Sequence, residues 1–232
     1  MNENHSQRSM ARRLFLGRLG MGVTAAGVTV AHGRPVQAQS AVEARWQPAR
    51  HAQDDWFDKI PGQHRFIFDT TTADGMGMAL QFANNYFTAN QTGYGLQDSD
   101  LAVVIVARHK STSFGYNDAM WAKYGKHLSE HANFTDPKSK EAPTVNVYAT
   151  ADSGVAQAGR LDALIKKGVR LAVCQMATRN IAGIIARATG ANTDTIFTEL
   201  GANLVNNARL VPAGIVAVSR AQERGYTFVA AV

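Results

Sequence analysis

Cys174 is the only cysteine in 232 residues, and its neighbours in sequence are those of a reactive thiol. It closes the apolar run Val169-Arg170-Leu171-Ala172-Val173 and is followed by Gln175-Met176-Ala177, which opens a helical pattern that stops at Gly190. A thiol at such a junction lies at the positive end of a helix dipole, which favours the nucleophilic thiolate. The same residue type packs well as a small apolar side chain, so an inert buried role stands beside the reactive one. Arg108, His109 and Lys110 follow a second apolar run, residues 101–107. They supply positive charge for an anion or a thiolate, with solvated loop residues as the plain alternative.

Softer chemistry is also represented. Met76 and Met78 flank Gly77 and, with Cys174 and His109, would make a sulfur and nitrogen donor set suited to Cu(I), although core packing is the commoner use of Met. His127 and His131 are spaced i, i+4 on one helical face, without the carboxylate pattern of a zinc protease. No resident cofactor is indicated. The turn Thr70-Thr71-Thr72-Ala73-Asp74-Gly75 has neither a dinucleotide nor a P-loop form, and there is no G-x-S-x-G elbow.

The elements that must position these residues alternate. Apolar strands are expected at 65–69, 101–107, 169–173, 208–211 and 226–229. Helical spacing is expected at 76–89, 117–127, 155–167, 176–189 and, opened by Pro212, 212–224. Residues 133–143 read as an exposed loop. Five strands alternating with helices imply an open, mainly parallel sheet with helices on both faces, a three-layer α/β/α domain over 64–232. Ligands collect outside the carboxyl ends of strands in such sheets. Those ends are Asp69 and Thr70, Arg108 and His109, Cys174, and Pro212.

Residues 1–38 read as an address. Arg12-Arg13-Leu14-Phe15-Leu16 is a twin-arginine pattern, residues 19–31 are moderately apolar, and Val36-Gln37-Ala38 offers small residues for cleavage. Export to the periplasm follows, with cleavage after Ala38 and no stable membrane insertion afterwards; an uncleaved anchor is the alternative. The address holds five arginines against Glu3, which is +4 of the formal +6, leaving +2. No basic run or zinc-finger spacing follows, so nucleic acid is not an expected partner. A lone Cys excludes internal disulfides and Cys-rich zinc sites, and no run reaches the ~18 apolar residues of a membrane helix. Residues 39–63 read as an arm or linker, although Trp46, Trp56 and Phe57 are apolar enough to fold against the domain or a neighbouring subunit.

From about residue 64 to 232 the chain resembles the DsrE/DsrF-like (YchN-like) family, in its exported, twin-arginine-signal branch. Three stretches carry the likeness: Val103-Val104-Ile105-Val106-Ala107-Arg108-His109 with Asn117-Asp118-Ala119-Met120-Trp121-Ala122-Lys123-Tyr124; Gly168-Val169 leading into Val173-Cys174-Gln175-Met176-Ala177; and Val211-Pro212-Ala213-Gly214 with Ala221-Gln222-Glu223-Arg224-Gly225-Tyr226-Thr227-Phe228. The resemblance implies the same α/β/α domain, assembled as trimers or hexamers. It also implies persulfide chemistry in sulfur relay, with Cys174 as the carrier and a sulfur donor or acceptor protein as partner. Relay members work in the cytoplasm, and an exported chain departs from that. A non-catalytic, oligomeric small-ligand-binding module and a copper-binding protein are the other readings.

Overall fold

The computed structural model describes residues 47–149 and 160–232. The segment expected to be an export address, Trp46 and the first part of the helix expected at 155–167 lie outside them. Residues 48–232 form one compact unit.

Five parallel strands make a single sheet: β1 (His64–Thr70), β2 (Leu101–Ala107), β3 (Arg170–Cys174), β4 (Ala208–Val211) and β5 (Thr227–Ala231), ordered β4-β3-β2-β1-β5. Central β2 is Leu-Ala-Val-Val-Ile-Val-Ala and every residue in it is buried, as a strand covered on both faces requires. Side chains alternate between the faces. Leu101, Val103, Ile105 and Ala107 join one core with Phe68, Leu171 and Val173. Ala102, Val104 and Val106 join the other with Ile67, Ala172 and Val211.

Helices α1 (Ala73–Tyr94), α2 (Asp118–Ala132), α3 (Leu161–Lys166), α4 (Gln175–Thr189) and α5 (Thr193–Ala202) bury their apolar sides in the first core. Helix α6 (Gly214–Gln222) covers the second with Ala217, Val218 and Ala221, joined by Phe57, Ile60 and Tyr226. The chain steps from β1 to β4 in one direction and returns to β5 in the other. Connections of one hand must then cross on opposite faces, which puts α6 alone among the helices on its side. The α/β/α layering is the one the alternation implies.

Local chemistry sets the boundaries. Thr72 caps α1, accepting from the Gly75 N–H at 2.9 Å, and Gly95 stops it at φ 69°, so the helix outruns the expected 76–89 at both ends. Residues 175–189 are helical and stop at Gly190, φ 75°. Helix α5 is an addition, capped by Asn192, with only Ile196 and Leu200 buried. The last helix starts at Gly214 rather than Pro212, and extended Ala213 is its N-cap. Proline disfavours helical backbone in the residue before it, which suits Val211 as the end of β4.

Candidate functional site

The carboxyl edge of the sheet brings together Asp69, Arg108 and Cys174. Alternation puts Asp69 on the face of Ile67, Arg108 on that of Val104 and Val106, and Cys174 on that of Ala172, all facing the α6 layer. Arg108 Nε and Nη2 donate to Asp69 Oδ1 and Oδ2 at 2.7 and 2.8 Å. The carboxylate is buried, with its side chain 5% exposed against 28% for the arginine. A bidentate pair of this kind fixes the guanidinium plane. The hydrogen bond to Asp69 holds Arg108 above its usual value; burial opposes this, and the charges of Asp69 and Cys174 add to it. Cys174 is therefore within electrostatic reach of the arginine, whose Nη1 has no hydrogen-bond partner among the described residues.

Gly214 makes room for this arrangement. A Cβ there would lie 2.5 Å from Arg108 Cβ and 2.9 Å from its Cδ, so α6 starts directly against the arginine only because its first residue has no side chain.

The thiol stands at the N-cap of α4 with extended backbone, φ −69° and ψ 113°, and makes no capping bond. Cys174 is 7% exposed. Thr178 Oγ1 donates to the Cys174 carbonyl at 2.9 Å and accepts from Tyr116 Oη at 2.8 Å. Burial pushes the Tyr116 phenol far up, opposed by the bond to Thr178 and reinforced by negative charge at Cys174. Tyr116 is thus a neutral hydrogen-bond donor to Thr178 behind the site.

Two of the helix ends at this edge, those of α4 and α6, differ from the other long helices, including α1, which starts at the same edge. Helices α1, α2 and α5 each begin with a side-chain cap, Thr72, Asn117 or Asn192, and an acid in the first turn, Asp74, Asp118 or Asp194. Helices α4 and α6 have neither. Their first N–H groups and dipoles are left for something else, and negative charge is what such ends favour. Around them Met176 is 70% and Ile215 58% exposed, giving an apolar rim.

The other sequence candidates have their own surroundings. His109 is exposed and, at φ 55°, leads into the 3-10 turn His109–Gly115. Its charge bears on His131, whose Nδ1 lies 3.1 Å from Ser113 Oγ. Met76 is fully buried in the larger core and Met78 packs against it from a partly buried position. His127 pairs with Glu130 at 3.7 Å. Among the described residues no three His, Cys, Asp or Glu side chains are grouped to hold a metal. A groove of about 280 Å³ lined by Asn117, Asp118, Leu161, Leu204 and Val205 includes none of the candidates.

Sequence reasoning placed Asp69 at a strand end but missed its pairing with Arg108, and it missed Tyr116, Thr178 and Gly214. The signal for the pair was available. In-register parallel strands set Asp69 opposite Val106, and Arg108 is the next residue on that face.

No family model matches the sequence, and no curated protein matches it. Among solved structures the chain is similar to a protein of unknown function from Methanobacterium thermoautotrophicum, with 14% identity and a TM-score of 0.37, over 72% of this chain and 99% of that one.

Proposed function

We propose that this is an exported protein of the DsrE/DsrF-like type that carries sulfane sulfur as a persulfide on Cys174. The observation that carries the reading is Cys174 at the uncapped N-terminus of α4, within electrostatic reach of Arg108, against which the uncapped α6 starts. The Cys174 thiolate would attack the outer sulfur of a donor persulfide, R–S–SH. A new S–S bond forms to Cys174, the donor's own S–S bond breaks, and the donor leaves as R–S⁻ with the electron pair. The outer sulfur keeps its proton until the product, a stronger acid than a thiol, ionises beside Arg108. The step is redox-neutral and needs no cofactor. Arg108 would hold the anion through Nη1 while Asp69 fixes its plane. The exposed Met176 and Ile215 rim suits a protein donor or a neighbouring subunit of a homo-oligomer.

Loading the purified protein with a sulfane donor and weighing it intact tests this. The expected result is a gain of one sulfur on the wild type, none on Cys174→Ser, and a rate at least tenfold lower for Arg108→Gln. No gain on the wild type, or the same gain on Cys174→Ser, overturns it.

The low exposure of Cys174, together with an arginine already paired to Asp69, favours a second reading, a non-catalytic ligand-binding module with a packed thiol. A thiol that reacts with a small disulfide reagent only after unfolding would select that reading.

A further inference from the structure

The opposite, amino edge of the sheet carries a second concentration of positive charge that the thiol chemistry does not use. A groove of about 280 Å³ is lined by Trp56, Lys59, Ile60, Arg170, Asn207, Ala208 and Arg209. Alternation puts Arg170 on the face of Ala172, and the register pairs Arg209 with Ala172, so both arginines face the α6 layer. Arg170 starts β3 and Cys174 ends it, which separates the groove from the thiol by roughly 13 Å of extended chain.

The three cations have no carboxylate partner among the described residues. Nearby acids are engaged elsewhere: Asp54 with Arg220, Asp55 with Arg224, and Asp58 with Arg50, Arg65 and Arg224. Neutral groups hold the arginines instead. Arg170 Nη1 donates to Asn207 Oδ1 at 2.7 Å, and Asn207 is itself fixed in left-handed backbone, φ 58°, with Nδ2 donating to the carbonyls of Ile165 and Val169. The Arg209 guanidinium lies 5.0 Å from the Trp56 ring centroid, and that ring stacks on buried Phe57 at 3.8 Å.

Two guanidinium groups are thus oriented in advance without being neutralised, a lysine stands beside them, and Trp56 and Ile60 supply an apolar wall. Arg forks match phosphate oxygens two at a time, and prior orientation reduces the ordering cost of binding. We infer that this groove is a binding site for a small phosphate monoester, whose phosphate meets Arg170, Arg209 and Lys59 while its organic part lies along Trp56 and Ile60.

Calorimetric titration of the full chain with inorganic phosphate, the part of the ligand the cations would hold, tests the site at fixed ionic strength. Saturable one-to-one binding is expected, weakened at least fivefold by Arg170→Gln and by Arg209→Gln and lost in the double variant. Arg187→Gln, an exposed arginine on α4, and Cys174→Ser should bind as the wild type does. Arg209 is itself exposed, so Arg209→Gln should fold with an unchanged thermal midpoint. Absence of saturable binding, equal weakening by Arg187→Gln, or equally tight binding of succinate at the same ionic strength would each overturn the assignment. Because Cys174→Ser leaves the groove intact, loss of sulfur loading and loss of phosphate binding are separable results.

Discussion

His131 sits where a positive charge is costly. Burial pushes its imidazole down from 6.5 to about 4, and the charges of His109 and Lys110 push the same way, while Ser113 Oγ meets its Nδ1 at 3.1 Å. The unfolded chain takes up this proton near pH 6.5 and the folded chain only near 4, so between those values the unfolded state binds more protons and stability falls as pH falls. The ring is partly exposed, and after allowance for solvent screening the loss is on the order of 1–2 kcal/mol. Denaturant titrations at pH 7 and pH 4.5 should therefore show a smaller acid loss for His131→Gln than for the wild type; equal losses would refute the assignment. The cluster also shows what residue adjacency conceals. Arg108 and His109 are neighbours that read as one basic patch, but left-handed backbone at His109 ends the strand alternation between them. Arg108 pairs with Asp69 and interacts electrostatically with the thiol, whereas the charge of His109 bears on His131. Nothing in residue type alone announces that turn, since histidine adopts positive φ only uncommonly.

Elements were legible in proportion to how far their own residues determine them. The strand at residues 101–107 could be read directly from seven apolar positions. Helix α5 could not, because only Ile196 and Leu200 of its ten residues are buried, Phe197 packs against the core from a partly buried position, and the remaining residues are polar or small; its local marks are the Asn192 cap and Asp194 in the first turn. The contact between α6 and Arg108 was also hidden, since a glycine near a helix start has several uses. Two glycine substitutions separate those uses. In Gly183→Ala the new Cβ would meet only Arg187 Nη1, at 3.4 Å, so the gain in helix propensity should stabilise the protein by about 0.5–1 kcal/mol. In Gly214→Ala it would meet Arg108 Cβ at 2.5 Å and Val106 Cγ1 at 3.0 Å, neither of them the free end of a flexible chain. Overpacking of that kind costs about 1–3 kcal/mol, and relief would draw Arg108 away from Asp69. Urea midpoints should move in opposite directions for the two variants, and sulfur loading should slow only in Gly214→Ala. If Gly214→Ala is as stable as the wild type, α6 does not start against the arginine.

At the scale of the whole molecule, the question is what residues 48–63 are to the sheet they precede. Their lack of periodicity reads as an arm, because the segment packs through a few single residues and not through a repeating face. Phe57 is fully buried and Ile60 nearly so, both in the core beneath α6. The Phe57 carbonyl accepts from Tyr226 Oη at 2.8 Å and from Arg65 Nη1 at 3.1 Å. Arg224, its side chain 0% exposed, reaches Asp58 at 3.2 Å. Bonds from β1, β5's approach and α6's exit thus all end on this segment, which closes the layer that α6 alone leaves half covered. Truncating a buried Phe to Ala costs about 3–5 kcal/mol where the surroundings cannot collapse. Phe57→Ala should lower the unfolding free energy by that amount within a single cooperative transition, and the milder Phe57→Leu by less. A loss below about 1 kcal/mol, or a separate early transition, would make the segment an appendage. The phosphate groove depends on the same residue: Phe57 supports Trp56, Trp56 supports Arg209, and relaxing the first of these contacts should weaken phosphate binding even in molecules that remain folded.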